Sequence, residues 1–350
     1  MLVEKMKYYF VFALIALLFA GCVNENNNSS HQKKITEKKI VDLSKRWKFS
    51  LGDDAKWKEE KFDDSKWERI AAPASWENQG FHGYDGYAWY RTTFSLNEKD
   101  YDKDLYIVLG YIDDVDQTYI NGKLIGLSGG FPKNYRTAYN AFRKYYIPNE
   151  YLNKEKENTI AVRIYDNELD GGIVSGNIGI FAYEGGIEPD INLSGVWDFT
   201  IKDSLFLKEN YKDSSFEKLM VPAHWDVQGF QDYDGFGWYK KTFTLPDKYS
   251  GKNMILLLGK IDDIDQTYVN GILVGSTGNW NFKDVPASFN ENEEYRISRV
   301  YSVPQKIFKV GKENTIAVRV YDGFRDGGIY DGPIGLITQD NYKKYFGKSN

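Results

Sequence analysis

One stretch in which apolar and polar residues alternate occurs twice in the chain and predicts a β-hairpin each time. The alternation runs through Asp116–Ile120 and ends on Asn121-Gly122, which Lys-Leu-Ile-Gly follows. Asn-Gly favours the positive φ angles that a type I′ turn requires at its two central residues. The second copy ends on Asn270-Gly271 and Ile-Leu-Val-Gly, so it predicts the same turn.

The hairpin belongs to a much longer internal repeat. Leu109–Gly122 (LGYIDDVDQTYING) and Leu258–Gly271 (LGKIDDIDQTYVNG) are identical at eleven of fourteen positions and lie 149 residues apart. Asn158–Asp166 (NTIAVRIYD) matches Asn314–Asp322 (NTIAVRVYD) at a separation of 156 residues, which places a seven-residue insertion in the second copy. A period of about 150 residues is the size of a domain, not of a solenoid unit, so we expect a duplicated domain.

Both copies are predicted to consist of β-strands. Trp47-Lys-Phe, Leu105–Leu109 and Asn158–Tyr165 are predicted strands, and Gly-rich turn signals recur between the apolar runs. Aromatic residues make up 16% of the chain, with 27 Tyr, and these residues favour strands. Neither half has a convincing amphipathic helix pattern. Many short strands with regular turns predict two β-sandwiches.

The N-terminus resembles a bacterial lipoprotein signal. Lys5 and Lys7 precede an apolar run, Tyr8–Ala20, which is too short to span a bilayer but suits a signal peptide. The following Gly21-Cys22 resembles the site where cysteine becomes the lipidated first residue, although Phe stands where the family usually has Leu. An ordinary secretory signal with an incidental cysteine is the alternative. Lipidation predicts an exported protein that acyl chains hold at a membrane of the bacterial cell envelope.

These signals define the predicted organisation of the chain. We expect a signal peptide at 1–21, the lipidated Cys22 with a polar, flexible tether over 22–39, domain one at 40–185, domain two at 190–338 and a tail at 339–350.

Charge and composition exclude several classes of function. The net charge is −5 and no basic stripe is present, so nucleic acid is not an expected partner. Cys22 is the single cysteine, which excludes a disulfide framework and a cysteine metal site. His31, His82 and His224 do not align between the two copies, so a histidine metal cluster is not expected.

Each half resembles the sugar-binding domain of glycoside hydrolase family 2, a jelly roll of the galactose-binding-like type. The resemblance is carried by DLSKRWKFSLGDDAKW, FDDSKW, DGYAWYRTTF, LGYIDDVDQTYINGKLIG and GKENTIAVRVYD. Both halves are closer still to the version inserted in bacterial sialate O-acetylesterases, which has an Arg-x-Tyr-x-x-Pro motif and a Gly-Gly-Ile turn. Those residues are Arg143, Tyr145, Pro148 and Gly171–Ile173 in the first copy, and Arg299, Tyr301, Pro304 and Gly327–Ile329 in the second. The resemblance implies two tandem jelly-roll β-sandwiches.

The resemblance brings no catalytic residues to this chain. In family 2 the catalytic glutamates lie in a separate (β/α)₈ barrel of about 250 residues, and two jelly rolls leave no room for one here. Ser128 stands in a G-x-S-x-G pattern, Gly126–Gly130, but this stretch lacks the context of an esterase nucleophile elbow. Because function depends on sites and not on folds, we assign no catalytic residue.

An acidic corner precedes each hairpin and is a candidate calcium site. It consists of Asp113, Asp114 and Asp116 in the first copy and of Asp262, Asp263 and Asp265 in the second. Ca²⁺ takes six to eight oxygen ligands, but the run lacks the Gly and Glu of an EF-hand. Three interpretations stay open: carboxylates that accept backbone N–H bonds at a bend, a structural calcium ion, or contact with a ligand.

Candidate sugar contacts come from the aromatic motifs and the long loops. The set is Trp89, Asp85 and Arg143 in the first copy and Trp238, Asp234, Arg299 and Trp280 in the second. Both arginines follow a long loop, where recognition residues are common. The alternatives are that the strand tryptophans belong to the core and that the aspartates form turns. Arg163 and Arg319 have two interpretations: a structural pairing with Asp166 and Asp322, which lie beside them in sequence, or a position facing a binding cleft.

The sequence therefore favours a lipid-anchored surface protein that binds glycans or assists a separate glycan-degrading enzyme. No cofactor is expected apart from the candidate calcium. The first alternative is a β-galactosidase-like glycosidase of family 2, or a sialate O-acetylesterase relative, that acts in carbohydrate metabolism. The second alternative is a structural or adhesive envelope protein without a sugar site.

Overall fold

A computed structural model of the protein describes residues 36–101, 103–184, 186–204, 216–280, 286–288 and 293–346. The predicted signal peptide, Cys22 and most of the predicted tether lie outside the described residues. In the part of the chain that is described, no helix has the length and apolar character needed to cross a membrane.

The first half is built from β1 to β11. Its strands are β1 (Thr36–Asp42), β2 (Lys45–Leu51), β3 (Glu68–Ala72), β4 (Gly86–Phe94), β5 (Leu105–Asp113), β6 (Val115–Ile120), β7 (Lys123–Ser128), β8 (Phe142–Ile147), β9 (Asn158–Asp166), β10 (Gly172–Ser175) and β11 (Gly179–Glu184). Short 3₁₀ helices lie at Ala55–Lys58, Glu77–Gln79, Glu98–Asp100 and Asn149–Tyr151.

The second half continues with β12 to β23 and one α-helix. Its strands are β12 (Ile191–Asn192), β13 (Gly195–Thr200), β14 (Glu217–Val221), β15 (Gly235–Thr244), β16 (Met254–Asp262), β17 (Ile264–Val269), β18 (Ile272–Thr277), β19 (Asn279–Trp280), β20 (Pro286–Ser288), β21 (Ser298–Val303), β22 (Glu313–Asp322) and β23 (Gly328–Thr338). Short 3₁₀ helices lie at Asp226–Gln228, Asp247–Tyr249, Glu294–Arg296 and Gln305–Ile307, and α1 spans Gln339–Phe346.

The two halves repeat one strand order. The first half has a six-stranded sheet in the order β3-β2-β4-β9-β6-β7, and the second has β14-β13-β15-β22-β17-β18. The opposing sheets are β1-β11-β5-β10, with β8 also on β5, and β12-β23-β16-β21. The pairs within these sheets are antiparallel, for example β4 with β9 and β15 with β22. The prediction of an all-β protein is confirmed, since strands make up 53% of the structure.

Each half encloses a core between its two sheets, which makes it a β-sandwich. In the first half, Leu109 of β5 and Tyr90 of β4 belong to the same buried cluster although they come from opposite sheets. Side chains alternate along β4, so Trp89, the neighbour of Tyr90, points to the other face and joins a separate cluster with Trp57 and Trp67. The segment that carries these two tryptophans therefore covers the outer face of the six-stranded sheet.

The predicted hairpins form as expected. Asn121 and Gly122 have φ angles of 49° and 78°, and Asn270 and Gly271 have 49° and 80°, as a type I′ turn requires. The Asn121 side chain also accepts a hydrogen bond from the backbone N–H of Thr159 at 2.8 Å. This contact ties the turn to the start of β9, so the asparagine fixes both the turn and its place in the sheet.

Two boundaries differ from the sequence prediction. Strand β1 begins at Thr36, within the segment predicted to be a tether, because it pairs along β11 at the edge of its sheet. Its Lys and Glu side chains are typical of an edge strand.

Residues 339–346, predicted to be part of a tail, form α1. Tyr342 packs against the small apolar cluster that includes Ile255, and Asp190 accepts a hydrogen bond from Asn341 at 2.8 Å.

Candidate functional site

A buried ion pair accounts for the repeated arginines. The Nε of Arg143 donates to Asp116 Oδ1 at 3.0 Å, and the Tyr145 hydroxyl donates to the same oxygen at 2.9 Å. The remaining guanidinium donors bind backbone carbonyls, including that of Asp114 at 2.8 Å. Both charged side chains are fully buried. This corrects the prediction that Arg143 contacts a sugar, since a charge inside the protein must be paired there.

The second half repeats this pair. The Nε of Arg299 donates to Asp265 Oδ1 at 3.0 Å, and Tyr301 donates to it at 2.9 Å. Arg299 is therefore also a structural residue and not a rim residue. Asp116 and Asp265 were predicted calcium ligands, and this prediction needs correction too, because arginine, tyrosine and threonine donors occupy their oxygens.

The strand tryptophans are buried as well. Trp89 packs against Trp57 and Tyr119, with ring centroids 6.1 and 6.0 Å away. Its indole N–H donates to Asp53 at 3.0 Å. Trp238 is equally buried and donates to Asp203 at 2.9 Å. A sugar needs an open ring face, so the structure assigns both tryptophans to packing, which was the alternative interpretation.

Arg163 and Arg319 pair with different aspartates from those expected. The Nε of Arg163 donates to Asp53 at 2.8 Å, and that of Arg319 donates to Asp203 at 2.8 Å. Trp280 is half-buried, with the Arg319 guanidinium 5.4 Å from its ring centroid. Asp85 and Asp234, also predicted sugar contacts, are exposed in their turns.

An acidic cluster forms where the two sheets of each half meet. In the first half, carboxylate oxygens of Asp113, Asp114 and Asp166 lie within 4.8 Å of one another. The second-half cluster has the same geometry and consists of Asp262, Asp263 and Asp322. The sequence prediction found the first two members of each cluster but named the wrong third residue. The repeated NTIAVR[IV]YD segment, which ends on an aspartate in both copies, was the available signal.

The crowded carboxylates raise one another's pKa values. Burial, with added repulsion from Asp114 and Asp113, raises the pKa of Asp166 to about 8. Burial also raises the pKa of Asp322 to about 8, and Asp263 and Asp262 contribute. The fully ionised clusters are therefore unfavourable unless protons or a cation compensate for the charge.

A cleft of about 560 Å³ lies between the two halves. Its first-half wall includes Tyr106, Tyr146 and Tyr183. The ring of Tyr106 makes edge contacts with the rings of Tyr146 and Tyr183, at centroid distances of 5.5 and 4.9 Å. The Lys144 ammonium lies 3.8 Å from the Tyr183 centroid. The wall therefore combines aromatic surface with a cationic donor.

The opposite wall of the cleft comes from the second half. His224 and Tyr330 stack there with ring centroids 4.6 Å apart, and Asp331 is exposed beside them. Asp104 lies on the first-half side, where burial and the nearby Glu188 raise its pKa to about 6. The cleft thus offers aromatic rings and charged or hydroxyl groups that can bind a polar molecule. Sequence reasoning missed it because the two walls come from residues far apart in the chain.

Comparisons with known proteins relate part of this chain to glycoside hydrolase family 2. Residues 52–170 match the model of the Beta-galactosidase second all-beta domain. A Formosa agariphila protein named "Putative beta-glucuronidase" is 31% identical over an alignment of 169 residues, and the match covers 42% of this chain and 14% of that protein. The matched stretch is therefore related to an all-β accessory domain of these enzymes. This chain spans only a small part of the relative's length.

Solved structures with some likeness include two Bacteroides enzymes. A calcium-binding mutant of Bacteroides uniformis beta-glucuronidase 2 is 15% identical, with 82% of this chain and 28% of that chain covered and a TM-score of 0.36. A glycosyl hydrolase family 2 member from Bacteroides cellulosilyticus is 14% identical, with 81% and 31% covered and a TM-score of 0.34.

Proposed function

We propose that this chain is a non-catalytic carbohydrate-binding protein and that the cleft between its halves holds the glycan. The observation that carries the proposal is the pairing, across one cleft, of tyrosine rings with charged and hydroxyl groups. The relationship of residues 52–170 to an all-β domain of a glycosidase family supports a carbohydrate ligand. In this proposal the halves are tandem jelly rolls of the galactose-binding-like type, a type that their sequence motifs support, and their shared strand order supports the duplication.

The chemistry of the cleft fits a sugar better than an apolar ligand. Its volume of about 560 Å³ is within the usual range for small-molecule sites, and such sites favour domain interfaces. Tyrosine offers a ring face for the C–H side of a pyranose and a hydroxyl for hydrogen bonding. Lys144 and Asp331 supply a donor and an acceptor for sugar hydroxyl groups.

Anchoring at the cell envelope is part of the same proposal. Lys5, Lys7 and the apolar run before Cys22 support export and lipidation. A lipid anchor would present the cleft to extracellular glycans, where the chain would assist a separate glycan-degrading enzyme. Replacement of Cys22 with Ser should abolish labelling by a palmitate analogue and release the protein from the membrane fraction. Unchanged labelling would contradict the anchor.

A glycan array tests the binding function directly. The full-length chain should bind one class of glycan, and Tyr146→Ala should weaken that binding at least tenfold. Tyr139→Ala is a matched control, because Tyr139 is 57% exposed and lies outside the cleft lining. Absence of binding to any glycan, or equal losses in both variants, would reject the cleft. Release of new reducing ends from a bound glycan would instead favour the hydrolase alternative.

A further inference from the structure

We propose that each half binds one divalent cation, with Ca²⁺ the best match, at its acidic cluster. The first site is formed by the carboxylates of Asp113, Asp114 and Asp166. The second is formed by Asp262, Asp263 and Asp322. This inference is independent of glycan binding, because the sites are formed within single halves.

The spacing of the carboxylates suits a shared ion. One oxygen from each of the three residues lies within 4.8 Å of the others in both clusters. Oxygen ligands lie about 2.3–2.6 Å from Ca²⁺, so two ligands of one ion can be up to about 5 Å apart. Only carboxylates occur in these clusters, and a set of oxygen ligands without His or Cys favours Ca²⁺ over Zn²⁺.

The second observation is a buried carboxylate in each cluster that has at least one oxygen atom without a hydrogen-bond partner. Asp166 is 0% exposed, and neither of its oxygens has a hydrogen bond of normal geometry, although the Glu168 backbone N–H opposes the rise in its pKa. Asp322 is also 0% exposed. Its Oδ1 accepts only a long bond, 3.4 Å, from the Phe324 N–H, and its Oδ2 has no partner. Buried polar atoms normally have a partner, and a cation would supply the missing one.

Asp114 is held in place and still has capacity to bind. Its Oδ2 accepts hydrogen bonds from the Tyr135 hydroxyl at 2.6 Å and the Asn167 N–H at 3.0 Å, and its Oδ1 accepts one from Thr137. A carboxylate has about four acceptor positions, so one remains on Oδ1 for an ion. The donors therefore orient the carboxylate without using all of its lone pairs.

The cation that acts on Asp113, Arg143, is already committed to other groups. The Arg143 guanidinium binds Asp116 and the backbone carbonyls of Ala138, Ala141 and Asp114. Other neighbours add negative charge, since Asp170 acts on Asp113 and Glu77 acts on Asp166. In the second half Asp326 acts on Asp262 in the same way. Each cluster thus has an excess of negative charge.

A bound ion would connect the two sheets of a half. Asp113 ends β5 in the five-stranded sheet, whereas Asp166 ends β9 in the six-stranded sheet. Asp262 and Asp322 end the equivalent strands β16 and β22. The ion would thus fix the corner where the chain crosses from one sheet to the other, which is a structural role and not a catalytic one.

The test uses isothermal titration of the full-length chain with CaCl₂ after removal of metal with EGTA, and MgCl₂ as the comparison. We expect the wild-type chain to bind two calcium ions. The Asp166→Asn and Asp322→Asn variants should each bind one, and Mg²⁺ should bind more weakly than Ca²⁺. Asp85→Asn and Asp340→Asn are the controls, because both residues are exposed aspartates outside the clusters. Binding of no calcium by the wild type, or of two ions by either cluster variant, would overturn the proposal.

A thermal melt separates an ion site from a merely protonated cluster. With EGTA, Asp166→Asn should melt at or above the wild-type temperature, since one crowded carboxylate is gone. With saturating CaCl₂ it should melt below the wild type, which alone has two ions. The same order of melting temperatures in both buffers would contradict the site. If Asp166→Asn does not fold, Asp113→Asn, at a half-buried position, provides the same comparison.

Discussion

Arg143 and Asp116 form an ion pair in which both side chains are 0% exposed, with 3.0 Å between Nε and Oδ1. Arg299 and Asp265 form the same pair in the other half. A buried pair contributes little over an apolar pair, but removal of one member leaves an uncompensated charge. The pair therefore specifies the position of the loop whose carbonyls Arg143 binds, and its single variants should be costly.

Asp116→Ala should lower the free energy of unfolding by about 3–5 kcal/mol, because it leaves Arg143 charged and buried without its partner. Urea denaturation measures this change. Asp85→Ala is the matched control, since Asp85 is exposed and a surface change of this kind is usually within about 0.5 kcal/mol. A loss below about 1 kcal/mol for Asp116→Ala would show that solvent reaches the arginine.

Gly126 lies against the ring of Tyr145, which is the tyrosine that binds Asp116. A Cβ at Gly126 would be 2.1 Å from the Tyr145 ring, so Gly126→Ala should destabilise the protein by about 1–3 kcal/mol. Gly332→Ala is the control, because a Cβ there would meet its nearest atom at 3.7 Å. Equal melting temperatures for the two variants would contradict the predicted clash.

The sequence predicted the hairpins and the sandwich because both depend on local patterns. Asn121-Gly122 specifies a turn type through its own φ preferences, and alternation along β4 specifies two faces. The sequence did not predict that Asp166 joins the acidic cluster, because Asp113 and Asp166 meet only when two sheets pack. It also left Trp89 open between a sugar contact and the core, since alternation cannot show that a separate segment with Trp57 covers the outer face.

The Asn121 turn should be sensitive to substitution. Asn121→Ala places alanine at a φ of 49°, where its side chain cannot form the hydrogen bonds by which asparagine stabilises this conformation. The change also removes the hydrogen bond from the Thr159 backbone N–H. We expect a loss of about 1–3 kcal/mol in the free energy of unfolding. Asn121→Gly should recover part of it, because Gly accepts positive φ. If Gly and Ala variants are equally unstable, the side-chain contacts dominate and backbone strain does not.

The stability of the folded protein should depend on pH through Asp104, which lines the cleft. Burial and Glu188 raise its pKa from 3.8 to about 6 in the folded protein. The folded state therefore binds more protons than the unfolded state between about pH 4 and pH 6, so this carboxyl group makes stability fall as pH rises through that interval. Below this interval the Asp104 carboxyl is protonated in both the folded and the unfolded state, so it does not change the free energy of unfolding. Above the interval it is ionised in both states, and the free energy of unfolding is lower by about 1–3 kcal/mol.

Asp104→Asn should remove that dependence and be the more stable protein at neutral pH. Denaturation midpoints of the variant and the wild type, measured from about pH 4 to pH 7, give the difference directly. The difference should grow across the interval and then stay constant. Asp198→Asn, outside the cleft, controls for a general change in net charge. A wild type that is more stable than Asp104→Asn at pH 7 would contradict the burial of an unfavourable charge, because it would mean that cleft groups stabilise the ionised carboxylate.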